Sequence, residues 1–168
     1  MTEPTAPSEQ PPVIVGPARL RDLRGVTAVQ RRAFRPGLAY GLSALVFLWL
    51  LPTTTFLVAR DGRTGAVLGC CIADRDRGNV RIVNIAVDPD ARRRGIATAL
   101  LRRTAEVLPD GSIELIVEEH NEGAQALYRR EGFQRTGFAR DYYGTGGHGI
   151  WMRRPRGAAE DLRRTIDV

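Results

Sequence analysis

Lysine is absent from this 168-residue chain, and all 25 basic side chains are arginine. Guanidinium stays ionised and grips phosphate or carboxylate in a fork. Against 19 acidic residues the net charge is +6, which suits an acidic cofactor or nucleic acid. Biased codon usage explains the arginines equally well. Nucleic acid is not the expected partner, because the arginines are not clustered with aromatic residues as a single-strand platform requires. Cysteine is nearly absent: Cys70 and Cys71 are adjacent, so they cannot staple distant segments, and a disulfide framework is excluded. A reducing cytoplasm is the expected setting. The two histidines, His120 and His148, stand alone. With no metal-ligand spacing, no metal is expected. No long apolar run exists either. The longest, Leu42–Leu51, lies between Gly41 and Pro52, well short of the roughly 20 residues of a membrane span. A membrane is therefore not an expected partner, and the run reads as a buried helix or the border of an apolar groove. The start, MTEPTAPSEQPP, lacks the basic and apolar stretches of a secretion signal.

What is present is ordinary globular composition, 43% hydrophobic and 26% charged, enough for one sizeable core. Residues 1–12 hold four prolines and read as a disordered tail. Residues 13–154 read as a single domain, and 155–168 as a polar C-terminal tail. Val13–Val15 and Ala18–Arg21 offer a first strand broken near Gly16-Pro17. Leu23–Phe34 has helical spacing, with Asp22 as its N-cap, and Ala39–Leu51 reads as a second helix stopped by Pro52. Thr54–Arg60, Ala66–Ala73 and Val80–Val87 are strand-like runs joined by polar turns at Asp61-Gly62 and Asp74–Gly78, an antiparallel meander. Gly95–Val107 is an amphipathic helix. Ile113–Val117 is a strand, Asn121–Arg130 a short helix, and Gly132–Phe138 and Ile150–Arg153 two closing strands. The order predicts an α+β domain, a mixed sheet with helices against it.

The stretch richest in chemistry is NIAVDPDARRRGIATALL, Asn84–Leu101. A strand ends at Val87, and a turn leads through three arginines and Gly95 into a helix. Glycine permits close approach. A helix N-terminus offers unpaired N–H groups and partial positive charge. With Arg92, Arg93 and Arg94 beside it, this forms a pyrophosphate cradle. Arg92-Arg93-Arg94-Gly95-Ile96-Ala97 resembles the Gln/Arg-x-x-Gly-x-Gly/Ala signature of the Gcn-five-related N-acetyltransferases, the GNAT superfamily. Ile85-Ala86-Val87-Asp88-Pro89 is similar to the end of that family's cofactor-binding strand. NEGAQALYRREGF, Asn121–Phe133, looks like its Asn-x-x-Ala-x-x-Leu-Tyr-x-x-x-Gly-Phe segment. The element order matches from about Val13 to Met152. Gly137–Gly144, with Tyr142-Tyr143, resembles the RimI-type ribosomal-protein N-alpha-acetyltransferases, although Gly146-Gly147-His148-Gly149 departs from the acidic pair that often follows there.

The resemblance implies a mostly antiparallel sheet of six or seven strands flanked by about four helices, with acetyl-CoA as cofactor. Ile85, Ala86 and Val87 are implied to meet the acetyl and pantetheine parts on a strand splayed from its neighbour. Arg92, Arg93, Arg94, Gly95, Ile96 and Ala97 are implied to hold the pyrophosphate, and Asn121 the pantetheine end. Tyr128 is implied to stand beside the thioester as the acid. Tyr142, Tyr143 and Asp141 are the implied acceptor-binding residues. Relatives place a base where this chain has Ile116 or Arg81, and neither can accept a proton. Glu118 and Glu119 are the substitutes, acting through water. The expected reaction is direct acetyl transfer to a primary amine, and neither cysteine is expected to take part. At about pH 7.5 roughly a quarter of an α-amino group is neutral, against roughly 0.1% of a lysine amine, so a weak base favours a protein or peptide N-terminus. The alternatives are a small-molecule amine or a non-catalytic acyl-CoA-binding module. A monomer or a homodimer is compatible with all three.

Overall fold

The computed structural model of the chain describes residues 11–76 and 78–155. The expected tails lie outside these residues, apart from positions 11, 12 and 155. The elements are β1 (Val13–Pro17), α1 (Leu23–Ala33), α2 (Leu42–Leu50), β2 (Thr54–Asp61), β3 (Val67–Asp76), β4 (Asn79–Val87), α3 (Ile96–Val107), β5 (Ile113–Glu118), α4 (Glu122–Arg130), β6 (Gln134–Ala139) and β7 (Gly149–Arg154). The strands form one sheet in the order β1-β2-β3-β4-β5-β7-β6. Only β4 and β5 run parallel; the other neighbours are antiparallel. This is the expected α+β architecture, and no helix among the described residues is long and apolar enough to cross a membrane.

Alternation along the strands divides the core between the two faces of the sheet. Leu57, Ala59, Cys71 and Ile82 meet Ile96, Leu100 and Leu101 of α3 and Tyr128 of α4. Phe56, Val58, Cys70 and Ile72 meet Leu23, Val26 and Val29 of α1 and Leu45 of α2. The adjacent cysteines therefore enter opposite halves of the core. Burial pushes the Cys70 thiol up to about 12 and that of Cys71 up to about 11, so neither is a thiolate near neutral pH.

Four local expectations are corrected. Ala18–Arg21 is not strand: β1 stops at Pro17, and Leu20–Asp22 forms a 3-10 turn. Asp22 occupies the cap position of α1 without capping it. Its carboxylate instead accepts from the Arg19 N–H at 2.6 Å and from Arg60 at 2.5 Å, which bends the chain back over the sheet. Helix α2 begins at Leu42 rather than Ala39, because Gly41 is extended. β3 runs on to pair Asp76 with Asn79, so the expected polar turn Asp74–Gly78 is far tighter.

The feature that positions the site is the parting of the two central strands. β4 and β5 pair only at Val80–Ile82 with Ile113–Leu115. β4 continues to Val87 against β3, while β5 continues to Glu118 against β7. Just where they part, β4 carries a bulge: Ala73 faces Ile82 and Ile72 faces Asn84, leaving Val83 as the extra residue.

The Asp22–Arg60 pair is the main polar tie in the half of the core under α1. Their side chains are 5% and 12% exposed. Burial alone raises the Asp22 carboxyl, but hydrogen bonds from Arg60 and Arg19 and the Arg60 charge outweigh it, holding it below its ordinary value. A carboxyl lowered in the folded state stabilises the fold above its unfolded value of about 3.9. That contribution is lost as the pH falls through the folded-state value. Asp22→Ala breaks a buried pair and should cost about 3 kcal/mol near neutral pH. Denaturation midpoints taken at neutral and acid pH check this: the gap between wild type and variant should be full at neutral pH and shrink in acid.

Candidate active site

The turn after β4 is built by its own side chains. Asp88 accepts from the Asp90 N–H at 3.0 Å, and Pro89–Ala91 makes a single 3-10 turn. Arg32 of α1 reaches both Asp88 at 2.9 Å and Asp90 at 2.5 Å, fixing the turn against the helix layer. The chain then takes left-handed conformations at Arg93 (φ 63°) and Gly95 (φ 72°), a backbone form found at anion-binding concavities. Gly95 is the N-cap of α3, and no side chain caps that end. The first-turn N–H groups thus stay available to a ligand.

A cleft of about 780 Å³ opens here between the end of β4, the start of α3 and helix α4. Ile85, Ala86, Val87, Arg92, Arg93, Gly95, Ile96 and Ala97 line one side, and Asn121 and further α4 residues the other. Arg94 does not line it; its guanidinium donates to the Pro11 carbonyl at 3.0 Å. Asn121 lines the cleft while its side chain accepts from the Ala124 N–H at 3.1 Å, so it also caps α4. From Val83 to Val87 the outer edge of β4 has no pairing with β5. Unpaired backbone amides need partners, and a cleft with an open strand edge, a helix N-terminus and arginines fits a long polar chain ending in phosphates.

A second cavity, about 570 Å³, shares Ala33, Phe34, Ile85, Asn121 and Ala124 with the first. The two therefore meet. Tyr128, Glu118, Tyr142 and Tyr143 all line the second cavity. Tyr128 is 6% exposed and packs against Phe133 with ring centroids 5.8 Å apart. Burial raises its phenol above the ordinary value, so it keeps its proton at physiological pH. Tyr143 is raised in the same way, first by burial, and donates to the Ile116 carbonyl at 3.0 Å. Tyr142 meets Tyr143 and Trp151 edge-on.

The acidic candidates separate. Glu118 faces the cavity and is ion-paired with Arg35, from the segment joining α1 and α2. Glu119 lies past the end of β5 and outside both cavities, its N–H donating to the His148 carbonyl at 3.0 Å. Asp141 also lies outside them. It sits in the loop between β6 and β7 with φ 52°, and its carboxylate accepts from the Gly146 N–H at 2.7 Å. That hydrogen bond helps shape the loop that carries Tyr142 and Tyr143. Ile116 lines the cavity, whereas Arg81 does not. Among the described residues no group of three or more His, Cys, Asp or Glu could hold a metal ion.

Several lining residues escaped the sequence reading. Phe34, Arg35 and Tyr40 arrive from the segment after α1, and nothing in their local pattern marks them. Asn84 lines the second cavity and is held by the fully buried Gln30, whose amide donates to it at 2.5 Å. Arg130 lines the first cleft, and here a signal existed: Leu127 and Arg130 stand three residues apart, on one face of α4.

Gly95→Ala tests the cradle. An added Cβ meets nothing within 4 Å, so its cost is the left-handed backbone alone, about 1 kcal/mol. Calorimetric titration should show CoA affinity falling about fivefold, and the midpoint of thermal unfolding should fall by only a few degrees.

Comparison with known proteins agrees with this geometry. Residues 52–135 match the acetyltransferase (GNAT) domain family. An uncharacterised N-acetyltransferase from Methanocaldococcus jannaschii is 31% identical over 137 residues, covering 79% of this chain and 85% of the relative. N-alpha-acetyltransferase RimI from Mycobacterium tuberculosis is 43% identical over 74 residues, 44% of this chain and 47% of that protein, so the match spans about half of that relative. The crystal structure of the ribosomal-protein-S18-alanine N-acetyltransferase from Escherichia coli superposes with a TM-score of 0.75 at 24% identity, covering 86% of this chain and 94% of that one. A phosphinothricin acetyltransferase from Sinorhizobium meliloti, crystallised in complex with AcCoA, gives a TM-score of 0.72 at 25% identity, covering 86% of this chain and 89% of that one. The family match and the nearly full-length relative place this chain in the GNAT superfamily, as an N-acetyltransferase that uses acetyl-CoA.

Proposed function

We propose that the acceptor is the α-amino group of a protein or peptide N-terminus. The observation that carries this reading is the charge of the acceptor cavity. Among the described residues its only carboxylate is Glu118, which Arg35 already engages. At Ile116 the wall is aliphatic. A cavity with so weak a base works best on an amine that is partly neutral on arrival, which an α-amine is and a lysine is not. The similarity to RimI over part of the chain supports the same reading.

Acetyl-CoA supplies the thioester as an activated acetyl group. The chain's own groups do the rest. The α3 N-terminus with Arg92 and Arg93 binds phosphate. The open edge of β4 orients the acyl chain, and a backbone N–H near Val87 polarises the carbonyl. Asn121 and Ile85 stand at the junction of the cavities, where amine and acyl group are brought together. Tyr128, kept protonated by burial, would hold its Oη proton ready for a thiolate leaving group. Glu118 takes the amine's proton through water. Tyr142 and Tyr143 wall the acceptor side. Glu119, Asp141 and Arg94 hold neighbouring backbone or lie apart, and take no part in the transfer.

A second reading, a small-molecule amine, is favoured by one observation. The acceptor cavity, at about 570 Å³, falls in the range of small-ligand sites.

CoA release should be measured with lysine-containing peptides whose N-termini are free in one set and blocked in the other. Release with free N-termini only is expected. Equal release from both sets overturns the α-amine reading in favour of lysine, and no release from either moves the acceptor to a small amine. Tyr128→Phe should lower kcat by about 10²-fold or more while leaving the KM for peptide close to wild type. Across pH, kcat/KM should rise until the acceptor amine itself titrates, near about 8 for an α-amine.

A further inference from the structure

Arg130 is the one arginine on the α4 wall of the cofactor cleft. Asn121, at the other end of α4, lies where the two cavities meet. At about 1.5 Å per residue, Arg130 stands about 13 Å from Asn121 along the helix axis. It therefore marks the end of the cleft remote from acetyl transfer, where the nucleotide portion of CoA must lie. That portion carries two separate anionic groups, a pyrophosphate and a ribose 3′-phosphate. The pyrophosphate is matched by the uncapped α3 N-terminus with Arg92 and Arg93. A phosphomonoester brings a further charge of about −1.5 to −2 near neutral pH, and this needs a cation of its own.

Among the described residues, the other nearby arginines are committed or turned away. Arg94 donates to the Pro11 carbonyl, and Arg102 pairs with Glu131. Arg129, the neighbour of Arg130 on α4, does not line the cleft. Arg130 lines it, its side chain reaches from an exposed position, and a guanidinium fork suits a phosphate. We infer that Arg130 binds the 3′-phosphate of CoA and makes this protein select CoA over 3′-dephospho-CoA. The inference rests on acetyl-CoA as the occupant of the cleft and is independent of the acceptor.

The test is calorimetric titration of the full chain with CoA and with 3′-dephospho-CoA at low salt. Wild type should bind CoA about tenfold more tightly, the scale of one charge-assisted hydrogen-bonded contact. Arg130→Ala should lose that preference while binding 3′-dephospho-CoA as wild type does. Arg129→Ala removes the same charge one residue away and should keep the preference. The preference should also shrink in high salt, since the contact is exposed. Equal binding of the two ligands by wild type overturns the inference. So does a preference that survives in Arg130→Ala, or one that Arg129→Ala abolishes equally. Failure of wild type to bind either ligand overturns the cofactor assignment itself, and the inference with it.

Discussion

Beyond Ile82 and Leu115 the central parallel strands separate, because each is held along its length by its other neighbour. β4 stays paired with β3 as far as Val87, and β5 with β7 as far as Glu118. The sheet is thereby split at one end while remaining whole at the other. A closed sheet satisfies its own amides. A split one exposes a row of them on β4 and leaves two adjoining cavities, one between β4 and β5 and the other between the end of β4 and helices α3 and α4. The bulge at Val83 falls at the start of the split, where added local twist helps turn the strand away. The two cavities meet at Ile85 and Asn121, beside this parting.

Around the split, polar groups are used in two ways. Some are tied firmly and shape the frame: Asp22 with Arg60, Arg32 with Asp88 and Asp90, and Gln30 with Asn84. Others are held ready for a ligand, including the uncapped start of α3 and the arginines beside it. Tyr128 combines the two. Packing against Phe133 fixes its ring, and the same burial keeps its phenol protonated. The cysteines show the opposite outcome. Equal burial leaves them as core filling, with thiols too weakly acidic to act as nucleophiles.

Legibility in the sequence followed contiguity. The segment from Ile85 to Ala97 could be read as a strand end, a turn and an open helix start because these are consecutive and the geometry is local. The spacing of Asn121, Ala124 and Tyr128 was readable for the same reason, since one helix carries all three. Three successive arginines, however, look alike in sequence. Only the packed chain shows Arg92 and Arg93 in the cleft and Arg94 directed to Pro11. Glu118 and Glu119 were likewise equivalent candidates until the end of β5 placed one in the cavity and the other outside it. Asp141 looked like an acceptor ligand by its position beside Tyr142, yet a left-handed turn commits its carboxylate to the loop.

The sequence by itself determined the alternation that makes the strands, the helix that begins after Gly95, and the chemistry of the stretch between them. These depend on neighbours along the chain, and sterics and periodicity act at that range. Tertiary structure alone decided that Arg35 engages Glu118 across the acceptor cavity, that Gln30 holds Asn84, and that Phe34 and Tyr40 complete the walls. Those residues are brought together by the order of strands and the docking of helices on the sheet. That order follows from burying two apolar faces at once, a condition on the whole chain that no short segment contains.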